Sequence, residues 1–481
     1  MFDMKNSSSI DAAISFKVIP ADKITPIKIL ESLGAKVLLE SAYAETGKGK
    51  YSIVLLNEAF TIYKKDNSYF LKNPDNRNFK LTGIKGGFLS LIKEFRDRAP
   101  DPGNNYDKPI PLGGIGYLGY EFFAEIEKIE FKSKTDDRDI YESAFMFGRS
   151  FMIFDHYHDE ALICAVQYRG EIDPVNLEET IDNIIKKIGS ISEKSNNILD
   201  NKVYPANIVN NRSDKQNFID NVKFIKDEIY KGNLLQCVPS RRIEIETEIN
   251  PLTAYSNLRM KNPSPYMLYF NFGDFTLFGA SPEMMIKIKD RKIVIGPIAG
   301  TRPRGKTKAE DMQFETELKS DVKENAEHLM LVDLARNDIG RVCSPGTVKV
   351  TAQGFIERYS SVMHLVSTVE GEIAEDKTAE DAIRATFPAG TVSGAAKIQA
   401  IKTIDMVETC RRGPYAGLVG YFEKSGDFDS CIAIRCAVAK GNKMWVQAGA
   451  GIVFDSVPEK EFEETENKAK AVLRAIGIEC K

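Results

Sequence analysis

Residues 430–454 read SCIAIRCAVAKGNKMWVQAGAGIVF, and this stretch decides the fold. Its two apolar runs, 430–439 and 444–454, have strand composition, and the Lys440-Gly441-Asn442 segment between them is typical of a turn. Long strands joined by a tight turn pair in antiparallel fashion. Strand composition recurs in 266–288, 292–298 and 416–422. We therefore predict an α+β fold, with antiparallel β-sheets and helices packed outside them.

A change of composition near residue 190 predicts two domains. In the first part, strand composition is found in 51–56, 60–64, 69–72, 144–154 and 161–168, and short helices are predicted at 86–96 and 177–188. The stretch 191–211 is rich in Ser, Asn, Asp and Lys, which predicts a linker between an N-terminal domain, 1–190, and a second domain, 212–479. Ser213 and Gln216 have the spacing of a capping box, so we expect the second domain to open with a helix.

Composition and charge exclude several classes of protein. The 481 residues include 65 Lys and Arg against 69 Asp and Glu, a net charge of −4, so we expect no nucleic-acid partner. No uncharged apolar run reaches the roughly 18 residues of a membrane span, and the N-terminal residues lack the pattern of a secretory signal. Seven Cys without CxxC spacing and four His without HExxH spacing predict a cytoplasmic protein with reduced thiols and no zinc.

Two short motifs suggest nucleotide binding. Residues 300–307, GTRPRGKT, fit the P-loop pattern, and LMLVD at 329–333 resembles the acidic strand of a nucleoside triphosphatase. Against this alternative, Pro303 removes a backbone N–H that would bind phosphate, and LMLVD lies in a run with helical spacing. GIGYLG at 114–119 fits a dinucleotide-binding pattern, but the aromatic residues that follow indicate a strand whose glycines allow close backbone approach.

Paired carboxylates on two predicted helices form a candidate metal site. Glu324 and Glu327 lie three residues apart, as do Glu461 and Glu464, so each pair shares a helix face. Ser456 has the spacing of a capping box at the start of the second helix. Oxygen ligands favour Mg²⁺, which keeps waters and shares its coordination with a substrate. The alternative is that both pairs are solvated helix faces.

Glycine-rich loops and one arginine are candidates for binding an anion. Gly449-Ala450-Gly451 follows a strand, and GTVSG at 390–394 lies between two helix-like runs, so both let backbone N–H groups approach a ligand. Arg435 is predicted to lie in the middle of a strand, CIAIRCAV, where its guanidinium would bind a carboxylate. The alternative is a structural salt bridge.

Eight longer motifs are characteristic of one family. They are NPSPYM (262–267), GASPEM (279–284), PIAGTRPRG (297–305), AEHLMLVDLARNDIGRV (326–342), VMHLVSTVEG (362–371), FPAGTVSGAAK (387–397), RRGPYAGLVGY (411–421) and QAGAGIVFDSVPEKEFEET (447–465). With these motifs the chain resembles the chorismate-utilising enzymes, and most closely the anthranilate synthase large-subunit family. The resemblance implies the chorismate-binding fold, a β-sandwich with helices outside and two interwoven subdomains, and it disfavours both nucleotide-binding interpretations.

The resemblance implies a magnesium-dependent site for chorismate. Glu327 and Glu464 match positions that hold Mg²⁺, Glu324 and Glu461 match water-mediated or outer partners, and Lys468 matches a lysine beside the metal. The bound Mg²⁺ would withdraw electron density from the ring through the ring carboxylate. The positions that match substrate-binding or active-site framework residues are Gly300, Thr391, Tyr415, Arg435, Gly449 and Gly451.

The resemblance also implies the reaction. Glu283 matches a general acid for the departing C4 hydroxyl, and His364 matches a histidine of the second half-reaction, the loss of pyruvate. Isochorismate and salicylate synthases have a lysine that activates water where this chain has Gln236, and a neutral amide suits ammonia as nucleophile. Aminodeoxychorismate synthases have a reactive lysine where this chain has Ala299. Both differences favour attack by ammonia at C2 and release of anthranilate; those two enzyme types and a binding-only descendant remain alternatives.

The last two implications concern regulation and partners. The LLES element at 38–41 and the NPSPYM segment resemble the tryptophan feedback site of the family, which predicts tryptophan binding by Leu39, Glu40, Ser41, Asn262, Pro263, Pro265, Tyr266, Met267 and Cys431. The chain lacks an amidotransferase signature with a nucleophilic Cys and its His. The resemblance therefore implies that ammonia comes from a separate glutamine amidotransferase subunit, component II, in a heterotetramer.

Overall fold

The structure, a computed structural model, describes residues 10–43, 47–103, 107–127, 129–132, 136–191, 204–209, 214–359 and 362–480. The strands in these ranges are β1 Ala13–Pro20, β2 Val37–Tyr43, β3 Gly47–Lys65, β4 Ser68–Lys72, β5 Asn78–Leu81, β6 Ile115–Leu118, β7 Ser143–Asp155, β8 Glu160–Gln167, β9 Ala206–Ile208, β10 Gln236–Cys237, β11 Ser240–Thr247, β12 Tyr266–Asn271, β13 Thr276–Ser281, β14 Met284–Lys289, β15 Lys292–Ile295, β16 Ile298–Pro303, β17 Lys349–Arg358, β18 Val362–Glu372, β19 Gly394–Ala395, β20 Leu418–Phe422, β21 Phe428–Ile432, β22 Cys436–Lys440 and β23 Lys443–Gly449. The α-helices are α1 Pro26–Leu33, α2 Gly87–Arg96, α3 Phe123–Ile126, α4 Leu177–Gly189, α5 Asp214–Tyr230, α6 Pro251–Lys261, α7 Lys308–Ser320, α8 Val322–Gly340, α9 Ala379–Thr386, α10 Gly390–Ser393, α11 Lys397–Val407 and α12 Pro458–Ile476.

Two antiparallel sheets share the long strands β3 and β7. The first sheet runs β9-β11-β23-β22-β13-β12-β2-β3-β7-β8-β1. The second runs β5-β4-β3-β7-β6-β20-β21-β14-β15-β18, with β16 and β17 also paired to β18. The β3–β7 register shifts between Leu55 and Phe60, and such bulges bend a strand, so β3 passes here from one sheet to the other. The predicted α+β fold with antiparallel sheets and outer helices is confirmed.

The two halves of the chain are interwoven through these sheets. Leu39 of β2 lies opposite Leu268 of β12, and Leu118 of β6 lies opposite Leu418 of β20. Of the predicted linker 191–211, the structure describes residue 191 and residues 204–209, which include β9 on the edge of the first sheet. Ser213, the predicted cap of the following helix, lies outside the described residues.

The core consists of two main layers. One cluster lies between the sheets and is rich in aromatic side chains, such as the stacked rings of Phe60 and Phe147 at 4.7 Å. The other lies between the first sheet and helices α1, α4, α6 and α12. Full burial of one such apolar side chain contributes about 1.5–3 kcal/mol, so these layers hold the two halves together. Among the described helices, none combines the length and apolarity needed to cross a bilayer.

The structure contradicts both nucleotide-binding interpretations. The GTRPRGKT segment begins in β16, which pairs with β18, and LMLVD lies within α8 rather than in a strand. GIGYLG forms β6, where a Cβ on Gly116 would lie 1.9 Å from the carbonyl oxygen of Ala144. This glycine is therefore needed for the close approach of β6 and β7, as the sequence predicts.

Two local predictions are corrected by the structure. The predicted strand 430–439 is interrupted between β21 and β22, and Arg435 lies in the interruption with φ of 54°. The predicted Ser456 capping box does not form, because Val457 is the N-cap of α12 and makes no side-chain bond. The Ser456 hydroxyl instead accepts a hydrogen bond from the amide of Val453 at 3.1 Å.

Candidate active site

Helices α8 and α12 bring the predicted carboxylates close together. Burial raises the pKa of Glu327, and the charges of Glu324 on its own helix and Glu464 on α12 raise it further. Burial and the charge of Glu464 likewise raise the pKa of Glu461. Carboxylates that oppose each other's ionisation across two helices form a site that favours a cation.

The two carboxylates of α8 are held by side chains from other elements, and Glu464 is held from within its own helix. Gln236 of β10 donates from Nε2 to Glu327 Oε1 at 3.0 Å, and Arg302 of β16 donates to Glu324 Oε1 at 3.2 Å. Glu464 pairs with Lys468 one turn along α12 at 2.6 Å. Arg302 is absent from the predicted site residues, because its partners lie on another element and no local spacing indicates them.

The carboxylates are near one another but do not converge on a point. Among the described residues, the group of three potential metal ligands whose atoms lie within 4.8 Å of one another is Asp155, His158 and Glu160 at the β7–β8 turn. There Lys108 donates to Glu160 at 2.8 Å, so the ammonium group of this lysine already balances part of the negative charge of this second cluster. The α8–α12 carboxylates offer oxygen ligands that repel one another, and Glu327 and Glu461 are partly buried whereas Glu464 is 47% exposed; oxygen ligands of this kind fit Mg²⁺.

Glu283 and Thr391 line a small cavity beside helix α8. Glu283 is in the short connection between β13 and β14, where burial raises its pKa to about 7. The Thr391 hydroxyl and the charges of Lys468 and Arg435 oppose this rise. Glu283 and Thr391 line one cavity of about 40 Å³ together with Pro297 and other apolar residues. A carboxyl that is partly protonated at neutral pH can serve as a general acid.

His364 is held as a neutral ring on β18. Its Nδ1 lies 3.1 Å from the carbonyl oxygen of Gly300 and 3.1 Å from the Thr301 hydroxyl. Because a carbonyl only accepts, Nδ1 carries the proton and Nε2 keeps a lone pair. Burial lowers the His364 pKa to about 4, so the ring is neutral at pH 7. A Cβ on Gly300 would lie 2.7 Å from Leu318, and its φ of 61° also requires glycine.

Arg435 and Lys468 form the positive part of the site. Arg435 donates to the carbonyl oxygen of Lys468 at 2.9 Å, and Lys468 donates to that of Gly449 at 3.0 Å. Within the described part of the chain, the Arg435 guanidinium makes no ion pair with a carboxylate, and burial lowers its pKa. A desolvated guanidinium without an ion-pair partner suits an anionic ligand.

Two glycines keep the space between Tyr415 and Gln236 open. A Cβ on Gly449 would lie 2.9 Å from the Tyr415 hydroxyl, and one on Gly451 would lie 3.0 Å from Gln236 Nε2. Burial raises the pKa of Tyr415 to about 12, so its hydroxyl remains a donor at neutral pH. The predicted catalytic and substrate-binding residues therefore lie around one site, although they come from ten different strands, helices and connections.

The predicted tryptophan residues lie where the two halves meet, on both faces of the first sheet. Leu39 and Tyr266 pack against the core between the sheets, whereas Glu40 and Met267, which are opposite each other, face the helix layer. Arg259 of α6 holds Glu40 with two hydrogen bonds of 2.6 and 2.9 Å. The register of β2 on β3 shifts at Ser41, between Glu40 and Ala42, and a Cβ on Gly49 of β3 would lie 2.6 Å from the Ser41 Cβ.

The remaining predicted positions adjoin this junction. Tyr266 donates to Asp429 at 3.2 Å, two residues before the buried Cys431. The segment with Asn262, Pro263 and Pro265 connects α6 to β12, and within it the carbonyl oxygen of Ser264 accepts from the Ala42 amide at 3.1 Å.

The chain matches one enzyme family and several named proteins over most of its length. The family described as chorismate binding enzyme matches residues 40–474. Anthranilate synthase component 1 of Spirochaeta aurantia is 45% identical over 474 residues, which cover 96% of this chain and 95% of that protein. The protein of that name from Acetivibrio thermocellus is 40% identical over 465 residues, covering 95% and 93%. The crystal structure of anthranilate synthase component I from Streptococcus pneumoniae TIGR4 matches with a TM-score of 0.76 at 33% identity, over 88% of this chain and 92% of that chain.

Proposed function

Because the chain belongs to the chorismate-binding enzyme family, and within it to the anthranilate synthase component 1 family, we propose that it converts chorismate and ammonia to anthranilate and pyruvate. The observation that carries this proposal is the environment of Gln236. The position that would hold a water-activating lysine in an isochorismate synthase holds the neutral amide of Gln236. Its Nε2 donates to Glu327, which places this amide beside the proposed metal ligands. An amide cannot take a proton from water, whereas ammonia already has a free lone pair.

Binding of chorismate would use the positive part of the site. Arg435 and Tyr415 would hold the carboxylate of the enolpyruvyl side chain, the guanidinium by charge and the phenol as a hydrogen-bond donor. The backbone amides of Gly449 and Gly451 would approach the second carboxylate, since neither residue has a Cβ in the way. Thr391 would contact the ring beside Glu283.

A magnesium ion would be held by Glu327 and Glu464, with Glu324 and Glu461 as outer partners. When bound, it would polarise the ring carboxylate and so make the ring more electrophilic. Lys468 would stay beside it, paired with Glu464 as in the structure. The mutual repulsion that raises the Glu327 pKa supports a role for this carboxylate set in binding a cation.

The first half-reaction would be an addition with loss of water. Ammonia attacks C2, the two ring double bonds move from C1–C2 and C5–C6 to C1–C6 and C4–C5, and the C4 hydroxyl leaves as water with a proton from Glu283. The nitrogen then loses a proton to become the neutral amine. Burial holds the Glu283 pKa at about 7, which supports this assignment as the proton donor.

The second half-reaction would aromatise the ring. The C2 proton is lost, the bond from ring C3 to the enolpyruvyl oxygen breaks, and the side chain gains a proton at its methylene carbon to leave as pyruvate. We assign this step to His364, whose Nε2 lone pair is free because Nδ1 donates to Gly300. Its depressed pKa keeps that lone pair available throughout the neutral range.

Supply and control of the reaction would involve two further molecules. Relatives are named component 1, which supports a second component as partner, and we propose that this partner is a glutamine amidotransferase subunit that supplies ammonia within a heterotetramer. We also propose that tryptophan, the end product, inhibits by binding at the β2–β12 junction. Such a protein would work in the cytoplasm.

The direct test is product identification with the purified chain. Chorismate, Mg²⁺ and an ammonium salt at mildly alkaline pH should give the blue fluorescence of anthranilate, and EDTA should suppress it. Isochorismate or salicylate would show that water attacks and that Gln236 is misassigned. Aminodeoxychorismate would show that the Ala299 argument fails.

A further inference from the structure

A buried ion pair lies behind the proposed site. Arg412 and Glu408 are only 1% and 5% exposed as side chains, and their charged groups are 2.6 Å apart. An ion pair this deeply buried seldom adds much stability over apolar side chains of the same size. The contacts of the two side chains indicate what the pair does in addition.

The donors of Arg412 reach two segments of the site. One donates to the carbonyl oxygen of Val392, next to Thr391, at 2.8 Å, and another donates to that of Val238, two residues after Gln236, at 2.6 Å. Fixing both carbonyls to one planar group sets the distance between the segments, because the guanidinium fork is rigid.

Tyr415 and Glu408, which both contact Arg412, connect it to two more segments of the site. Its guanidinium lies 5.5 Å from the ring centre of Tyr415. Glu408 accepts from both the amide and the hydroxyl of Ser240, at 2.7 and 2.8 Å, and Ser240 pairs with Gly449 across the sheet. The ion pair therefore contacts Tyr415 directly and reaches residues close to Gln236, Thr391 and Gly449.

The N-terminal half closes the other side of the pair. The Tyr120 ring lies 4.4 Å from the Arg412 guanidinium. Glu121 accepts from the amides of Arg412 and Gly413 at 2.7 and 3.0 Å. These two residues directly follow GIGYLG, so the segment that resembles a dinucleotide motif supports the loop that ends in Tyr415.

We propose that Arg412, fixed by Glu408, is a positioning residue that sets the spacing of the segments bearing Gln236, Thr391, Tyr415 and Gly449. The inference rests on the proposed function for the meaning of those four positions. It assigns Arg412 no contact with substrate.

The test compares Arg412→Lys with Arg96→Lys. Lysine keeps the charge but cannot reach Glu408 and both carbonyls at once. We expect Arg412→Lys to lower kcat/KM for chorismate roughly 100-fold, with a higher KM, in protein that is folded by circular dichroism. Arg96 is a control that is also buried, with its side chain 8% exposed, and that pairs with Glu380 at 2.7 Å; its substitution should lower only the thermal midpoint.

The inference is overturned if Arg412→Lys behaves like Arg96→Lys, with a lower midpoint and unchanged kcat/KM. If Arg412→Lys does not fold, Glu408→Asp decides the question, because it keeps both charges but withdraws the carboxylate from Arg412 and Ser240; unchanged kcat/KM in this variant would overturn the inference. If the wild-type chain consumes chorismate but makes another product, the proposed function fails, yet the same comparison of chorismate consumption still tests the positioning role.

Discussion

At the scale of single residues, the proposed chemistry depends on two opposite effects of burial. Burial raises the pKa of Glu283 to about 7 and lowers that of His364 to about 4. An acid and a base of these strengths can coexist at neutral pH, which is the arrangement an addition followed by an elimination requires. Neither property is visible in the sequence, because both depend on neighbours from distant segments. The resemblance to a family indicated the residues, and the general-acid role of Glu283 implied a raised pKa, but it did not indicate the neighbours that cause either shift.

We predict that kcat/KM for chorismate falls as the pH rises through about 7, because the protonated form of Glu283 is then lost. The measurement is a pH profile at a constant concentration of free ammonia. Glu283→Gln should reduce turnover by about 10²–10⁴-fold. Glu423 is a matched control, since burial also raises its pKa to about 7, and Glu423→Gln should leave the profile unchanged. A profile that is flat across neutrality in the wild type would contradict the assignment.

At the scale of elements, helix periodicity predicted the pairing of carboxylates on α8 and α12 correctly. It could not predict that Gln236 reaches Glu327, because that contact spans 91 residues of sequence. The strand expected through Arg435 failed for a related reason. A local apolar pattern continues across residues 430–439, but Arg435 adopts a positive φ and bonds to the backbone of Lys468, a contact made only in the folded chain.

The proposed metal site gives a prediction for the two helices. Glu327→Gln and Glu464→Gln should each abolish magnesium-dependent turnover, because each removes one anionic ligand. Titration calorimetry with Mg²⁺ alone should show weaker binding to both variants. Glu463→Gln changes the exposed carboxylate next to Glu464 and should behave like the wild type. Full activity in Glu327→Gln would refute the metal assignment.

At the scale of the whole molecule, the two halves form a single body. Each of the two sheets joins a block of strands from 13–167 to a block from 206–449, at β2–β12 in the first sheet and at β6–β20 in the second, so the β2–β12 junction touches both halves. A ligand bound there could favour one arrangement of the halves by its differential affinity, and chorismate would oppose it. The sequence indicated sheets and outer helices, but the interweaving depends on pairings between residues hundreds of positions apart.

The proposed tryptophan site gives a prediction at this scale. Ser41→Phe should keep the activity and raise the tryptophan concentration for half inhibition roughly 10-fold or more, because the larger ring would occupy space at the β2–β12 junction. Inhibition curves with varied chorismate measure this directly. Ser15→Phe on the edge strand β1 is a control that should not change inhibition. Unchanged inhibition in Ser41→Phe would count against the site.

The central claim is that ammonia attacks C2 of chorismate at a site built around Gln236. The most direct measurement supplies ammonium labelled with heavy nitrogen and locates the label in the product by nuclear magnetic resonance. We predict a single labelled product with nitrogen on the ring carbon next to the carboxylate. Label at the carbon opposite the carboxylate, or an unlabelled product with oxygen at C2, would contradict the claim.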